Sequence, residues 1–244
     1  ISYNAGISAC EKGEQWQRAL SLLHEMAKVK MEPNDISYNA GISACAKCGE
    51  WQQSLALISD MEVAKVLPDV ISYNAGITAC DKGGQWQRAL SLFSDMSTSI
   101  VCPTVITYSA AISACSNEGN WHHALSLLRD ISEVKLEPNL ISYNSAMSAC
   151  AKGQQWQRAL SLLSEAEEVS LEPDRVSRNV AARAFLNVGQ WDRALLMFNG
   201  MAEFDLVPDE VAYSIAISAQ LNVALACDQG GVGSVGFGQE KSSR

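Results

Sequence analysis

Long apolar runs are absent from this 244-residue sequence, although 48% of its residues are hydrophobic. Ser, Asn or a charged residue interrupts the apolar segments every few positions, whereas a membrane-spanning helix needs about 18 or more consecutive apolar residues. The sequence therefore predicts no membrane span. With 18% charged residues beside the apolar fraction, the chain is expected to fold around a continuous core.

A basic excess is also missing, since 18 Lys and Arg residues stand against 27 Asp and Glu residues and give a formal net charge of −9. Proteins that bind nucleic acid usually present a basic surface. The overall charge therefore argues against nucleic-acid binding driven by charge attraction alone.

Catalytic and metal-binding signatures are equally scarce. No nucleophile elbow, phosphate-binding loop or carboxylate pair stands out. Cys45 and Cys48 form one C-x2-C pair, but a zinc site needs four ligands, and the adjacent His122 and His123 are poorly placed to supply them. We therefore expect no enzyme activity, no cofactor and no metal site.

Proline and tryptophan are few, and their spacing carries the strongest signal in the sequence. All six residues of each type recur at intervals of 35, namely Trp16, Trp51, Trp86, Trp121, Trp156 and Trp191, and Pro33, Pro68, Pro103, Pro138, Pro173 and Pro208. The segment ISYNAGISAC also recurs nearly unchanged from residues 1, 36 and 71. Self-similarity at a fixed period of roughly 20 to 50 residues predicts a repeat architecture.

Each 35-residue period has the pattern of two helices. In the second period, Tyr38, Ile42 and Cys45 share one face of a first helix that Gly49 ends, and a second apolar helix begins at Trp51. A unit this small cannot bury its apolar faces alone. Neighbouring units are therefore expected to stack into an all-α solenoid of helix-turn-helix repeats.

The repeats are expected at residues 1–34, 35–69, 70–104, 105–139, 140–174 and 175–209, with a partial repeat at 210–219. The pattern fails after Ala219, so residues 220–244 are expected to form a divergent, disordered tail. Because the chain begins at Ile1, without methionine and in the second position of a repeat, we expect it to be part of a longer protein, with any targeting segment outside it.

Two residue types inside the predicted first helices indicate tight packing. Glycine costs roughly 0.5 to 1 kcal/mol in a helix interior, so Gly6, Gly41 and Gly76 are expected where a neighbouring helix comes close. The cysteines that recur at the 35-residue interval are Cys10, Cys45, Cys80, Cys115 and Cys150. Helices packed about 8 to 10 Å apart exceed the roughly 7 Å Cα separation of a disulfide, so these cysteines are expected to be buried thiols.

The repeat resembles the pentatricopeptide repeat family over residues 1 to about 219. The ISYNAGISACAKCGEW core, the ALxLxxxM second helix and the Pro-Asp or Pro-Asn ending carry the resemblance. A tetratricopeptide repeat would instead carry its tryptophan at the start of the first helix. The resemblance implies a right-handed superhelical α-solenoid of P-type repeats that binds single-stranded RNA, one base per repeat.

The resemblance also implies which residues recognise the bases, here called the recognition pairs. Each repeat is numbered from position 1 to position 35, and residue 35 of the chain is position 1 of the second repeat. The two members of a pair then occupy positions 5 and 35 of the same repeat. They are Asn4 with Asn34, Asn39 with Asp69, Asn74 with Thr104, Ser109 with Asn139, Asn144 with Asp174, and Asn179 with Asp209. By the family's pairings they recognise C, U, an undefined base, A, U and U from the 5′ end.

Position 2 of each repeat, the clamp position, holds a base between aliphatic side chains in the family. The clamp residues are Ile1, Ile36, Ile71, Ile106, Ile141, Val176 and Val211. From the residues alone, packing of a β-branched side chain against its neighbour is the alternative. The tyrosines Tyr3, Tyr38, Tyr73, Tyr108, Tyr143 and Tyr213 share the core face and are expected to pack rather than stack on bases.

Position 13 carries Lys12, Lys47, Lys82 and Lys152, where the family places a phosphate-contacting lysine. A cation at a helix C-terminus is also favourable in its own right, and both interpretations stay open. The predicted first-helix segments contain seven basic residues (Lys12, Lys47, Lys82, Lys152, Arg175, Arg178 and Arg183) and four acidic ones (Glu11, Asp35, Asp81 and Glu210), a net +3. One face of an acidic protein can therefore attract phosphate.

Two functions remain from different classes. The first is sequence-specific RNA binding in organellar RNA processing, stabilisation or translation, with the location in mitochondria or chloroplasts implied by the resemblance alone. The alternative is a helical-repeat scaffold that binds another protein, which the acidic balance favours. The repeated polar pairs favour the first, because a peptide groove has no need of them.

Overall fold

A computed structural model of the chain describes residues 3–203 and 207–229. Over these residues it contains thirteen α-helices and no strand. The first helices of successive repeats are α1 (Tyr3–Lys12), α3 (Asp35–Lys47), α5 (Val70–Lys82), α7 (Val105–Asn117), α9 (Leu140–Lys152), α11 (Arg175–Asn187) and α13 (Glu210–Gln229). The second helices are α2 (Trp16–Lys28), α4 (Trp51–Val63), α6 (Trp86–Thr98), α8 (Trp121–Glu133), α10 (Trp156–Glu168) and α12 (Trp191–Glu203).

A polar residue directly before each first helix from α3 onward fixes where that helix begins. Before α5, the Oδ1 atom of Asp69 accepts the backbone N–H groups of Ile71 and Ser72 at 3.0 and 2.9 Å. The equivalent N-cap residues of the other first helices are Asn34, Thr104, Asn139, Asp174 and Asp209. These side chains satisfy donors that a helix leaves unpaired at its N-terminus.

The helices stack in two layers. First helices of consecutive repeats pack directly on one another, and each second helix, from α2 to α12, packs against its own first helix and against the next first helix. The face predicted for the first helices is buried: Ile42 and Cys45 are fully inaccessible, and Tyr38 is nearly so. The predicted all-α solenoid of helix-turn-helix repeats is therefore confirmed.

The recurrent tryptophans lie at the start of the second helices and are partly buried against the core. The guanidinium of Arg88 lies 4.6 Å from the ring centre of Trp51, and that of Arg158 lies 4.3 Å from the ring centre of Trp121. In both cases the arginine belongs to the second helix of the following repeat. Cation–π contacts therefore link successive repeats through their second helices.

Glycine at position 7 allows helices to approach closely, as expected. A Cβ atom at Gly41 would lie 2.6 Å from Cδ1 of Leu23, and one at Gly76 would lie 2.6 Å from Cδ1 of Ile58. Leu23 and Ile58 each belong to the second helix of the preceding repeat. Later repeats carry fully buried alanines at this position, Ala111 and Ala146.

The recurrent cysteines line the core as thiols. Cys45, Cys80, Cys115 and Cys150 are fully buried, whereas Cys10 is only partly buried, and none of these five forms a disulfide. Burial raises the pKa of Cys45 to about 12 and the pKa of each of the other three buried thiols to about 11. Cys48, the partner of Cys45 in the C-x2-C pair, is exposed, so the two thiols do not face a common site.

Helix α13 departs from two expectations. It continues to Gln229, so residues 220–229 are helical rather than disordered, because the QLNVALACDQ segment holds neither Gly nor Pro. Residues 230–244 lie outside the described residues. Tyr213 is 53% exposed, unlike Tyr38, Tyr73, Tyr108 and Tyr143, because the described part of the chain has no second helix of a seventh repeat to cover it.

Candidate nucleic-acid interface

The structure joins five of the six recognition pairs by a hydrogen bond. The Nδ2 atoms of Asn39, Asn144 and Asn179 donate to Oδ1 of Asp69, Asp174 and Asp209, each at 3.1 Å. Asn4 donates in the same way to Asn34 at 3.3 Å, and the Ser109 hydroxyl donates to Asn139 Oδ1 at 3.2 Å. Because the thirty-fifth residue is the N-cap of the next first helix, each pair spans the junction between two repeats.

A serine that sequence reasoning missed completes most of these pairs. The hydroxyl of Ser72, at position 3 of the next repeat, lies 2.6 Å from Asn39 Oδ1 and 3.0 Å from Asp69 Oδ1. Ser37, Ser142 and Ser177 occupy the equivalent place in their repeats. Their signal was present in the sequence, since a polar N-cap residue and a second polar residue three positions later have the spacing of a capping box, which forms with Ser37 and Ser72.

Two pairs lack this third contact. No hydrogen bond within the described residues joins Asn74 to Thr104, which pairs with Thr107 instead, and Asn74 Oδ1 is buried without a partner. Asn179 Oδ1 is also buried without a partner, because Ala212 replaces the serine there. The third pair, whose base is undefined by the family's pairings, is thus also distinct in geometry.

Hydrogen bonding leaves specific atoms of each pair available. In the Asn39–Asp69 pair, Oδ1 of Asp69 takes the contacts from Asn39, Ile71 and Ser72, and its Oδ2 has no hydrogen-bond partner among the described residues. The Asn39 carboxamide uses its oxygen and one N–H, so its second N–H remains. The pair therefore offers one donor and one acceptor.

The carboxylates of the second and sixth pairs are held in their charged form. Burial raises the pKa of Asp69, but hydrogen bonds from Ser72, Asn39 and Ile71 outweigh this effect and leave the pKa below its ordinary value. A backbone hydrogen bond from Ala212 lowers the pKa of Asp209, and Asn179 and Arg175 lower it further. Arg175 Nε lies 3.2 Å from Asp209 Oδ2, the oxygen that is free in the Asn39–Asp69 pair.

The clamp residues are exposed to solvent, although they are large aliphatic side chains of the kind usually buried in a core. Their exposed fractions are 56% for Ile36, 57% for Ile71, 67% for Ile106, 63% for Ile141, 48% for Val176 and 41% for Val211, and Ile1 lies outside the described residues. Positions 2 and 5 are three residues apart and so share one side of the first helix. An exposed aliphatic row therefore runs beside the recognition pairs.

The position-13 lysines contact the C-terminus of the preceding first helix. Lys82 Nζ donates to the carbonyl of Lys47 at 2.9 Å, Lys47 Nζ to that of Glu11 at 3.2 Å, and Lys152 Nζ to that of Asn117 at 3.4 Å. Lys47 also forms an ion pair with Glu11 at 3.3 Å. This geometry gives the helix-terminus interpretation a direct basis, while the ammonium groups stay at the surface.

A cavity of about 760 Å³ gathers predicted residues of all three kinds at the junction of the fifth and sixth repeats. Its lining includes the clamp residues Val176 and Val211, the recognition pair Asn179 and Asp209, and Lys152. Recognition, clamp and lysine positions therefore lie on one surface of the solenoid.

Comparison with known families decides the relationship. Models of the PPR repeat family match residues 1–47, 33–82, 68–117 and 103–152, and a PPR repeat model matches residues 141–170. The chain belongs to the PPR repeat family. No curated protein matches the sequence.

Solved PPR structures share the fold of this PPR chain. The crystal structure of the pentatricopeptide repeat protein PPR10 from maize is 21% identical with a TM-score of 0.63, covering 97% of this chain and 35% of its own. PPR10 in complex with an 18-nt psaJ RNA element is 20% identical with a TM-score of 0.56, covering 95% and 39%. The PPR domain of Arabidopsis thaliana protein-only RNase P 1 in complex with tRNA is 14% identical with a TM-score of 0.62, covering 74% and 95%.

This PPR chain thus spans about a third of the maize protein's length. None of the helices in the described ranges has the length and apolar character needed to cross a lipid bilayer. Three or more His, Cys, Asp or Glu side chains do not cluster as a metal site anywhere in those ranges.

Proposed function

We propose that this PPR chain is a non-enzymatic module that binds single-stranded RNA in a sequence-dependent manner, one base per repeat. The observation that carries the proposal is the hydrogen-bonded recognition pair, which recurs at repeat junctions with a donor and an acceptor left over. Similar solenoids have been solved with an RNA element and with tRNA, which supports RNA as the partner.

The atoms left over in the Asn–Asp and Asn–Asn pairs fit the bases that the family's pairings assign, except that Arg175 already contacts the second carboxylate oxygen of Asp209 in the sixth pair. An Asn–Asp pair offers an N–H and a carboxylate oxygen, which complement the carbonyl and the N3–H group of uracil. An Asn–Asn pair offers N–H groups from both residues, which complement the N3 and O2 acceptors of cytosine. Ser109 is shorter than asparagine and leaves room for adenine beside Asn139.

The clamp and lysine positions fit the same model. A base placed between exposed Ile36 and Ile71 would cover their apolar surface, which water otherwise contacts. The lysine ammonium groups lie within reach of a backbone that follows the first helices, and they would exchange a carbonyl contact for a phosphate. Family membership supports action on organellar RNA in processing, stabilisation or translation.

The decisive experiment is fluorescence anisotropy with short RNAs containing CUCAUU or CUUAUU, together with scrambled and DNA versions. The double variant Asn144→Ser with Asp174→Asn recreates the Ser109–Asn139 pair in the fifth repeat. The wild-type chain should prefer U at the fifth base, and the variant should prefer A there by roughly tenfold, equivalent to about 1.4 kcal/mol.

The matched control makes the same exchange in the second repeat, Asn39→Ser with Asp69→Asn. It should change the preference at the second base and leave the fifth unchanged. Equal binding of all sequences by all three proteins would reject base recognition. Failure to bind any RNA at micromolar protein would reject the RNA proposal and favour the protein scaffold, which the net charge of −9 supports.

A further inference from the structure

The cleft between the fifth and sixth repeats contains more cationic and polar groups than the recognition model uses. It opens between α9 and α11, which pack less closely than the preceding first helices. Its lining includes Ser148, Lys152, Arg183 and Asn187 beside the sixth recognition pair. A volume of about 760 Å³ lies within the roughly 300 to 1,000 Å³ range of small-molecule sites.

Arg183 is the unusual member of this lining. It occupies position 9, where the other repeats carry Ser8, Ser43, Thr78, Ser113, Ser148 and Ser218. Its side chain is exposed, and no ion pair or hydrogen bond holds it within the described residues. Position 9 is one helical turn after position 5, so Arg183 lies on the same side of α11 as Asn179.

The local charge is positive, although the whole chain carries −9. Lys152 and Arg183 supply two cations, and the acidic residue of the lining, Asp209, has its Oδ2 atom engaged by Arg175. The sixth repeat carries Asn187 at position 13, so it lacks the lysine found there in the first, second, third and fifth repeats. Arg183 thus places a cation one helical turn closer to the recognition pair than position 13 does.

An unpartnered polar atom adds a second indication. Asn179 is only 9% exposed, and its Oδ1 atom has no hydrogen-bond partner because Ala212 stands where other repeats have serine. A buried acceptor without a partner is unfavourable, because it has given up its hydrogen bonds to water. A bound nucleotide that reorients this carboxamide can relieve that cost.

We propose that this cleft is a nucleotide-phosphate site in which Arg183, assisted by Lys152, binds the phosphate of the nucleotide at the sixth recognition pair. A guanidinium matches phosphate with two parallel N–H···O bonds, which a lysine cannot do. The inference deepens the proposed function and rests on it for the source of the phosphate. The same chemistry also accommodates a free nucleoside monophosphate, and the test separates these sources.

The test compares Arg183→Ser, which installs the residue common at this position, with Arg129→Ser. Arg129 is an exposed arginine of the second helix α8, with 71% of its side chain accessible, so its loss makes the same change in charge on the other layer. RNA affinity is measured by anisotropy at 50 and 200 mM KCl. Removing one phosphate contact makes the slope of log K against log salt about 0.7 less negative, so the affinity ratio between the two salts falls about 2.6-fold.

The expected result is that only Arg183→Ser shows this reduced salt dependence. A wild-type slope in Arg183→Ser, in a protein that binds RNA, overturns the site without affecting the proposed function. Failure of the wild-type chain to bind RNA rejects the proposed function, and a titration with uridine monophosphate followed by ¹H–¹⁵N NMR then decides the site. Amide shifts around Asn179 that disappear in Arg183→Ser support it, and no shifts in either protein overturn it.

Discussion

At the scale of single residues, the thirty-fifth residue has two roles in five of the six repeats. Asp69 caps α5 through backbone N–H groups and, through the same oxygen, orients Asn39 of the preceding repeat. A carboxylate held by several donors loses little conformational freedom when a base binds, because its position is already fixed. Helix capping therefore fixes the recognition pair in place without any ligand, which favours the proposed binding of a base.

The capping role predicts a difference between two substitutions at one site. Asp69→Ala should lower the free energy of unfolding by about 1 kcal/mol, the usual cost of removing an N-cap, whereas Asp69→Asn should retain most of the stability because asparagine caps equally well. Urea denaturation followed by circular dichroism measures both. Equal stability of the alanine and asparagine variants would show that the cap contributes nothing.

Asp69 also predicts a pH dependence. Because its pKa is lowered in the folded chain from the ordinary value of 3.8, its carboxylate stabilises the fold above that value and loses this contribution as the pH falls through the lower folded pKa. The wild-type chain should therefore lose more stability than Asp69→Asn on acidification below pH 4. Thermal unfolding at several pH values compares the two, and parallel curves would contradict the assignment.

At the scale of helices, close packing through position 7 predicts opposite responses at two glycines. Gly41 lies between Leu23 and Leu57. The residues equivalent to these two in the fourth and fifth repeats are also leucines, Leu128 and Leu162, and there the position of Gly41 holds alanine. Gly76 faces Ile58 and Leu92, at 2.6 and 3.0 Å from a new Cβ, and the β-branched isoleucine adjusts less easily.

Gly41→Ala should therefore stabilise the chain, by up to about 1 kcal/mol from helix propensity. Gly76→Ala should gain less or lose stability, because the clash with Ile58 offsets the propensity term. Urea midpoints of the two variants provide the comparison. A gain at Gly76 as large as that at Gly41 would show that the neighbouring side chains move freely.

Sequence alone predicts the helices of this chain well and the contacts between repeats poorly. The faces marked by Ile42 and Cys45 follow from helical periodicity, which is a local property of the chain. The lysine contacts to preceding helix ends and the bonds from Ser72 join residues more than 30 positions apart, so they emerge only when the repeats stack. The cleft between α9 and α11 depends likewise on packing that no single repeat specifies.

At the scale of the whole molecule, an acidic chain carries its cations where the first helices end. One row of cations lies at the ends of the first helices and contains Lys47, Lys82 and Lys152. The second helix α10, by contrast, ends in an acidic segment with Glu165, Glu167 and Glu168. The second-helix layer therefore repels a phosphate backbone. Under the proposed function, this asymmetry predicts that RNA binds on the first-helix side of the solenoid.

The charge distribution predicts a moderate salt dependence of RNA binding. Four position-13 lysines, at about −0.7 per neutralised phosphate, give a slope of log K against log salt near −3. Anisotropy across a range of KCl concentrations measures it. Lys82→Gln should make the slope about 0.7 less negative, and Lys28→Gln, in the second helix α2, should leave it unchanged. A slope near zero would contradict phosphate contacts by this row.

If the recognition pairs select bases as proposed, their shared oxygen limits how the RNA target can change in evolution. Every observed residue at the thirty-fifth position, whether Asn, Asp or Thr, is also a good helix cap. A mutation of this position to a residue other than Asn, Asp or Thr would alter the proposed base preference. The same mutation would also remove the helix cap at the junction between two repeats. Under the proposed function, the RNA target can therefore diversify only through residues at this position that also cap the next helix and keep the solenoid folded.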